Sequence, residues 1–126
     1  MDDPVERWLT RFGLDAFLHM HVAGVMTLLP EHVREDIVSD QSFRICDYEP
    51  GRGMVLVPMG MPGPRGASRS VVLKRTLRRR PADFVKYIIA HELAHAHLRN
   101  SGRWPGDDPE HAADALAAEW GFPRPY

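Results

Sequence analysis

Residues Tyr87 to His97 read Y-I-I-A-H-E-L-A-H-A-H, and this run restricts the chain more than any other because it sets His91, Glu92 and His95 in an apolar, alanine-rich stretch. Helical residues four apart stand one above the other, so His91 and His95 turn their imidazoles toward a common point. That is half of a metal site. Glu92, between them, has the type and position of the carboxylate that polarises a water held at an open coordination position. Pro81, Ala82 and Asp83 read as the opening of the helix, with Pro tolerated in the first turn and Asp favourable near the positive end of the dipole. Phe84, Val85, Ile88, Ile89, Leu93, Ala96 and Leu98 then bury it over much of its circumference. A histidine in such surroundings needs a partner, since an unpaired buried polar group costs roughly a few kcal/mol. The plain alternative is a pair of core histidines bonded to carbonyls.

Tetrahedral zinc with an exchangeable water takes three protein ligands, and a second helical pattern downstream offers candidates. It runs E-H-A-A-D-A-L-A-A-E-W-G from Glu110 to Gly121, with Asp107, Asp108 and Pro109 marking its start and Gly121 and Pro123 its stop. Glu110 and Asp114 are four apart and share a face. One can bind an ion while the other accepts the far N–H of a ligating histidine, which fixes the ring's tautomer and orientation. Ala112, Ala113, Ala115, Ala117 and Ala118 keep the helix thin enough to lie close against the first.

H-E-x-x-H followed on a second helix by E-x-x-x-D, matched here by His91, Glu92, His95, Glu110 and Asp114, resembles the gluzincin branch of zinc metallopeptidases. The resemblance implies that His91, His95 and Glu110 ligate Zn2+, that Glu92 is the general base and acid, and that Asp114 holds a ligating imidazole. It covers roughly Pro81 to Phe122. The short chain, the H-E-L-A-H form and the A-A-E-W-G-F tail are most similar to minimal single-domain gluzincins and to ImmA/IrrE-like phage and stress-response peptidases. Two departures stand out. Only fourteen residues separate His95 from Glu110, a short connection for which N-S-G-R-W-P-G-D-D supplies turn chemistry. Larger gluzincins also carry a His or Tyr beyond the glutamate that stabilises the oxyanion, whereas after Asp114 this chain offers only Trp120, Arg124 and Tyr126. His111 is the alternative third ligand, as in SprT-like zincins, with Glu110 then left as a cap; the E-x-x-x-D geometry favours Glu110.

At 126 residues the chain is expected to form one domain, 1–126, with a modest core and no disulfide staples. Its single cysteine, Cys46 in F-R-I-C-D-Y, reads as a small apolar filler in a strand, with a reversible thiolate on the metal as the other reading. The lone cysteine, the acidic M-D-D-P opening and the lack of an eighteen-residue apolar run predict a cytoplasmic protein with no membrane partner. A net charge of −1 argues against general affinity for nucleic acid. The charge is uneven, however. Lys74, Arg75, Arg78, Arg79 and Arg80 cluster before the metal helix, with Arg65 and Arg69 nearby. The cluster reads first as a solvated strand end and loop, and second as a docking patch for an acidic partner, DNA included.

Val5 to about His19 reads as a helix interrupted or bent near Gly13, and Pro30 to Val38 as a second helix. Ser42 to Tyr48, Met54 to Pro58 and Ser70 to Lys74 read as strands, the first two joined by the turn E-P-G-R-G. The expected fold is α+β: a zincin-like domain with N-terminal helices and a small three-stranded sheet packed on the metal-binding helix pair. An edge strand above the metal helix would pair with an extended peptide through main-chain hydrogen bonds. Tyr87 is expected only to pack, and His97, two residues past His95, to face solvent on the opposite side. His19 and His21 are left without a role. The terminal G-F-P-R-P-Y reads as a frayed tail, or as a segment closing over the cleft to hold the enzyme latent. The expected function is zinc-dependent hydrolysis of peptide bonds in an intracellular protein or peptide. The alternative is a catalytically weak zincin-like metal-binding protein that acts as an interaction module.

Overall fold

The protein is described by a computed structural model covering residues 4–41, 43–48, 70–101 and 109–125. Among these residues the order is α1 (Pro4–Thr10), α2 (Ala16–Leu28), α3 (Glu31–Val38), β1 (Arg44–Tyr48), β2 (Ser70–Lys74), a 3-10 helix (Arg75–Arg79), α4 (Ala82–Ser101) and α5 (Pro109–Glu119). The fold is thus rich in helix, with a small sheet.

The N-terminal helix is interrupted near Gly13, one of the two readings its sequence allows, and so forms two helices. After α1 the chain turns through Gly13 at φ +62°, a left-handed value that costs glycine little. Asp15 then opens α2, its side chain accepting the Phe17 amide at 3.2 Å. The new helix runs well beyond His19, burying Leu18, Val22, Val25 and Met26 on one stripe. Pro30 sits at the N-cap of α3, as its fixed φ suits.

β1 and β2 pair in parallel, Arg44 beside Ser70 and Tyr48 beside Lys74. Two parallel strands need a long crossover, and residues 49–69 separate these two. The expected third strand, Met54 to Pro58, lies outside the described residues, as do Arg65 and Arg69. The sheet has two strands among the described residues instead of three. Asp47 ties this sheet to its surroundings: Oδ2 accepts the Asp15 amide at 2.6 Å and Oδ1 pairs with Arg75 at 3.0 Å. Arg75 is therefore engaged, and the segment expected to be loop is a 3-10 helix anchored by buried Leu77.

A continuous core joins Trp8, Leu9, Leu18, Met26, Ile37 and Phe43 to Ile45, Val71 and Leu73 of the sheet and to Val85, Ile89 and Leu93 of α4. Trp8, Phe12 and Phe43 form an aromatic corner, with ring centroids 5.1 to 6.4 Å apart. α4 packs against α5, α2, the sheet and α3. That is why His97 does not face solvent. The side of α4 away from His95 is covered by α3, where Nδ1 of His97 meets Oδ2 of Asp36 at 2.7 Å, and Trp120 lies close by. α5 ends in a Schellman motif: Gly121, at φ +100°, donates to Ala118 O, and Phe122 donates to Ala117 O. Phe122 is buried in the core, so the tail is anchored through that residue and not frayed there.

Two outcomes follow. Phe43 is fully buried, so Phe43→Ala is expected to cost about 3–5 kcal/mol of stability in denaturant titration with an unchanged m-value. Half-buried in β1, the Cys46 thiol is pushed above its ordinary pKa by burial and then by the Asp47 charge. Less thiolate is present at any pH below that raised value, so iodoacetamide at pH 8 is expected to alkylate the native protein more slowly than the urea-unfolded chain.

Candidate metal centre

α4 and α5 run antiparallel, as the pairs between them require: Tyr87 and His91 meet Asp114, while His95, one turn later, meets Glu110, one turn earlier. Small buried residues make this approach possible, Ala90 and Ala94 on α4, Ala112, Ala113 and Ala117 on α5. Interaxial distance follows the side chains at the contact, and alanine permits a short one.

His91 is the only buried polar or charged residue among those described. Its Nδ1 lies 2.7 Å from Oδ1 of Asp114. A carboxylate accepts, so the proton sits on Nδ1 and the Nε2 lone pair is left bare. Nε2 points to a spot shared with two other donors. It lies 3.1 Å from Nε2 of His95 and 3.5 Å from Oε2 of Glu110, and the same Glu110 oxygen contacts Nε2 of His95. Lone pairs crowded in this way repel unless a proton or cation lies between them. Bond lengths of about 2.0–2.2 Å at tetrahedral angles would set nitrogen and oxygen ligands roughly 3.3 Å apart, close to the separations His91 makes. His91, His95 and Glu110, all within 4.8 Å of one another by one atom each, are thus a donor set able to hold a divalent cation of zinc type. His111 is exposed and outside the group. So is Cys46.

Tyr87 has a part that sequence reasoning missed. Its hydroxyl donates to the same Asp114 oxygen at 2.5 Å, so one carboxylate gathers two donors from successive turns of α4. The signal was available, since Tyr87 is four residues before His91 and shares its face. Burial pushes the Tyr87 hydroxyl up to about 12, reinforced by the bond to Asp114. For Asp114, burial works upward, but the hydrogen bonds from Tyr87 and His91 and the charges of His91 and Arg124 outweigh it and hold the carboxyl below its ordinary value. It remains an anion able to orient the imidazole. Arg124, beyond the Schellman turn, is the second residue whose influence on the site the sequence did not announce.

Glu92 is half-buried, and it lines a cleft of about 520 Å³ between β2, the 3-10 helix and the first half of α4. Phe84, Ile88 and Glu92 follow one another at four-residue intervals along this wall. His19 and His21 belong elsewhere: His19 pairs with Glu6 at 2.9 Å, and His21 Nδ1 lies 2.9 Å from the Phe17 carbonyl. No helix among the described residues is long and apolar enough to cross a membrane.

Compared with protein-family profiles, with curated proteins and with solved structures, the chain matches none.

The convergence of donors predicts stoichiometric Zn2+ uptake by dialysed protein, read by elemental analysis. His91→Ala or His95→Ala is expected to abolish it, and Asp114→Ala to weaken it about 10–100-fold. Zinc at about a hundredfold over its Kd would add roughly 2.7 kcal/mol of stability, visible as a rise in Tm on the order of ten degrees.

Proposed function

We propose that this chain is a zinc-dependent metallopeptidase of gluzincin type, a zincin-like domain that hydrolyses peptide bonds of an intracellular protein or peptide. One observation carries the reading: two imidazoles and a carboxylate from antiparallel helices converge on one point, with Asp114 behind His91 and Glu92, next in sequence to His91, on the wall of a cleft. A zinc ion held there would act as a Lewis acid and lower the pKa of its water toward ~7.

The chain's own residues then divide the work. Asp114 keeps His91 in the tautomer that offers Nε2, and Tyr87 keeps Asp114 in place. Glu92 takes the proton from the attacking water and passes it to the leaving amine, so one carboxylate serves as base and then acid. β2 contributes Val72, Leu73 and Lys74 to the cleft, and an extended peptide laid along it would be held by main-chain hydrogen bonds.

A second reading has its own observation. The Tyr87 hydroxyl is spent on Asp114, and among the described residues after Asp114 no Tyr or His occurs, Arg124 being the one cation. A site without a free oxyanion donor is slow, which suits a latent enzyme or a metal-binding interaction module.

Purified protein and its Glu92→Gln variant, each loaded with zinc, are to be incubated with an unfolded protein and new termini read by mass spectrometry. The peptidase reading expects cleavage that falls roughly a hundredfold to ten-thousandfold in the variant, with the metal retained. Equal silence from both, metal bound, would instead support the interaction module.

A further inference from the structure

Resting on the peptidase reading, we infer that the cleft selects peptide segments in which a large apolar residue near the cut is followed, further along, by acidic residues. The cleft is not uniform. Its wall on α4 is a ladder of residues four apart, Glu92, Ile88 and Phe84, continued before the helix by Arg80. The Arg80 guanidinium sits over the Phe84 ring at 4.9 Å, so its stem follows the apolar floor and its charge stands at the far end. Lys74 and Arg79, both exposed, join it on the lining, while Glu92 is the one acid among the described lining residues. A chain with formal net charge −1 therefore presents a cationic end to a cleft that begins at its proposed catalytic carboxylate. The neighbouring Arg75 has a structural task, paired with Asp47, and does not line the cleft.

The ladder sets a scale. A helix rises about 1.5 Å per residue, so Ile88 stands roughly 6 Å and Phe84 roughly 12 Å from Glu92, and Arg80, before the first turn, sets its guanidinium over the Phe84 ring. An extended peptide advances about 3.3 Å per residue. Apolar side chains are thus wanted about two to four residues from the scissile bond, and acidic ones about four or five residues from it, on one side only. An apolar floor beneath the cations favours a peptide over nucleic acid, whose recognition rests on cations tracking phosphates.

Two measurements test this, and they fail separately from the peptidase reading. A proteome-derived peptide library cut by the zinc-loaded protein is expected to show Asp or Glu enriched about four or five positions from the cut on one side, next to or beyond an apolar position. The Lys74→Gln, Arg79→Gln, Arg80→Gln triple variant is expected to lose the acidic enrichment. In parallel, fluorescence anisotropy with the zinc-loaded Glu92→Gln protein reads binding of a short fluorescein-labelled peptide bearing leucine and a run of glutamates. Adding the three substitutions to that protein, or raising the salt, is expected to weaken binding on the order of tenfold. If the triple variant does not fold, the single Lys74→Gln and Arg79→Gln variants and the salt titration carry the test. Cleavage without acidic preference, a preference that survives the substitutions, or displacement of the peptide by a DNA oligomer more readily than by unlabelled peptide would each overturn the inference. If the library is left uncut, the peptidase reading falls and the anisotropy decides alone: charge-dependent binding of the peptide supports the inferred cleft, and its absence overturns it.

Discussion

The bond between His91 and Asp114 is the contact on which the rest of the centre depends. It spans two helices, joining α4 to α5. By accepting from His91 and Tyr87 together, Asp114 fixes which turn of α5 faces which turn of α4. Every other relation follows from that register, because Glu110 lies one turn earlier on α5 and so falls opposite His95. The same bond decides chemistry, since the proton it holds on Nδ1 leaves Nε2 as a donor. Charge-assisted bonds of this kind are the strong members of their class, and here two of them meet on one carboxylate in a half-buried setting.

Helices α4 and α5, and the facing of His91, His95 and Glu110 upon them, were legible in the sequence for a simple reason: spacing of four on a helix is a geometric statement. His91, His95, Glu110 and Asp114 each stand on elements with clear start and stop signals, and Gly121 ends α5 by the left-handed turn its position suggested. What was not legible depends on tertiary neighbours. His97 was expected in water because its angular position on α4 is known from sequence, whereas the presence of α3 on that side is not. The break near Gly13 was legible in Val5 to His19, but the helix that Asp15 restarts runs on to Leu28, beyond the apolar pattern that placed its end near His19. Arg75 looked like one more surface cation until Asp47 came from β1 to meet it. Tyr87 was passed over because a tyrosine on an apolar helix is usually core, and its role appears only when Asp114 arrives from α5.

Asp47 deserves comparison with Asp114, for both solve the same problem. Each is a carboxylate that collects donors from two distant parts of the chain, Asp15 and Arg75 in one case, Tyr87 and His91 in the other. The first holds the sheet against the start of α2, and so positions β2 as a wall of the cleft. The second holds α5 against α4 and so assembles the proposed centre. Between the two, the cleft acquires a fixed strand on one side and a fixed helix on the other, which is what a proposed site for an extended segment requires.

The three donors are unequally sheltered: the His91 side chain is 10 % exposed and that of His95 16 %, but that of Glu110 is 69 % exposed. A cation held in the proposed centre would therefore lie nearest bulk water on the side of the carboxylate. Loading or removing such an ion would then ask for a rotation of one glutamate side chain while the two rods stay docked.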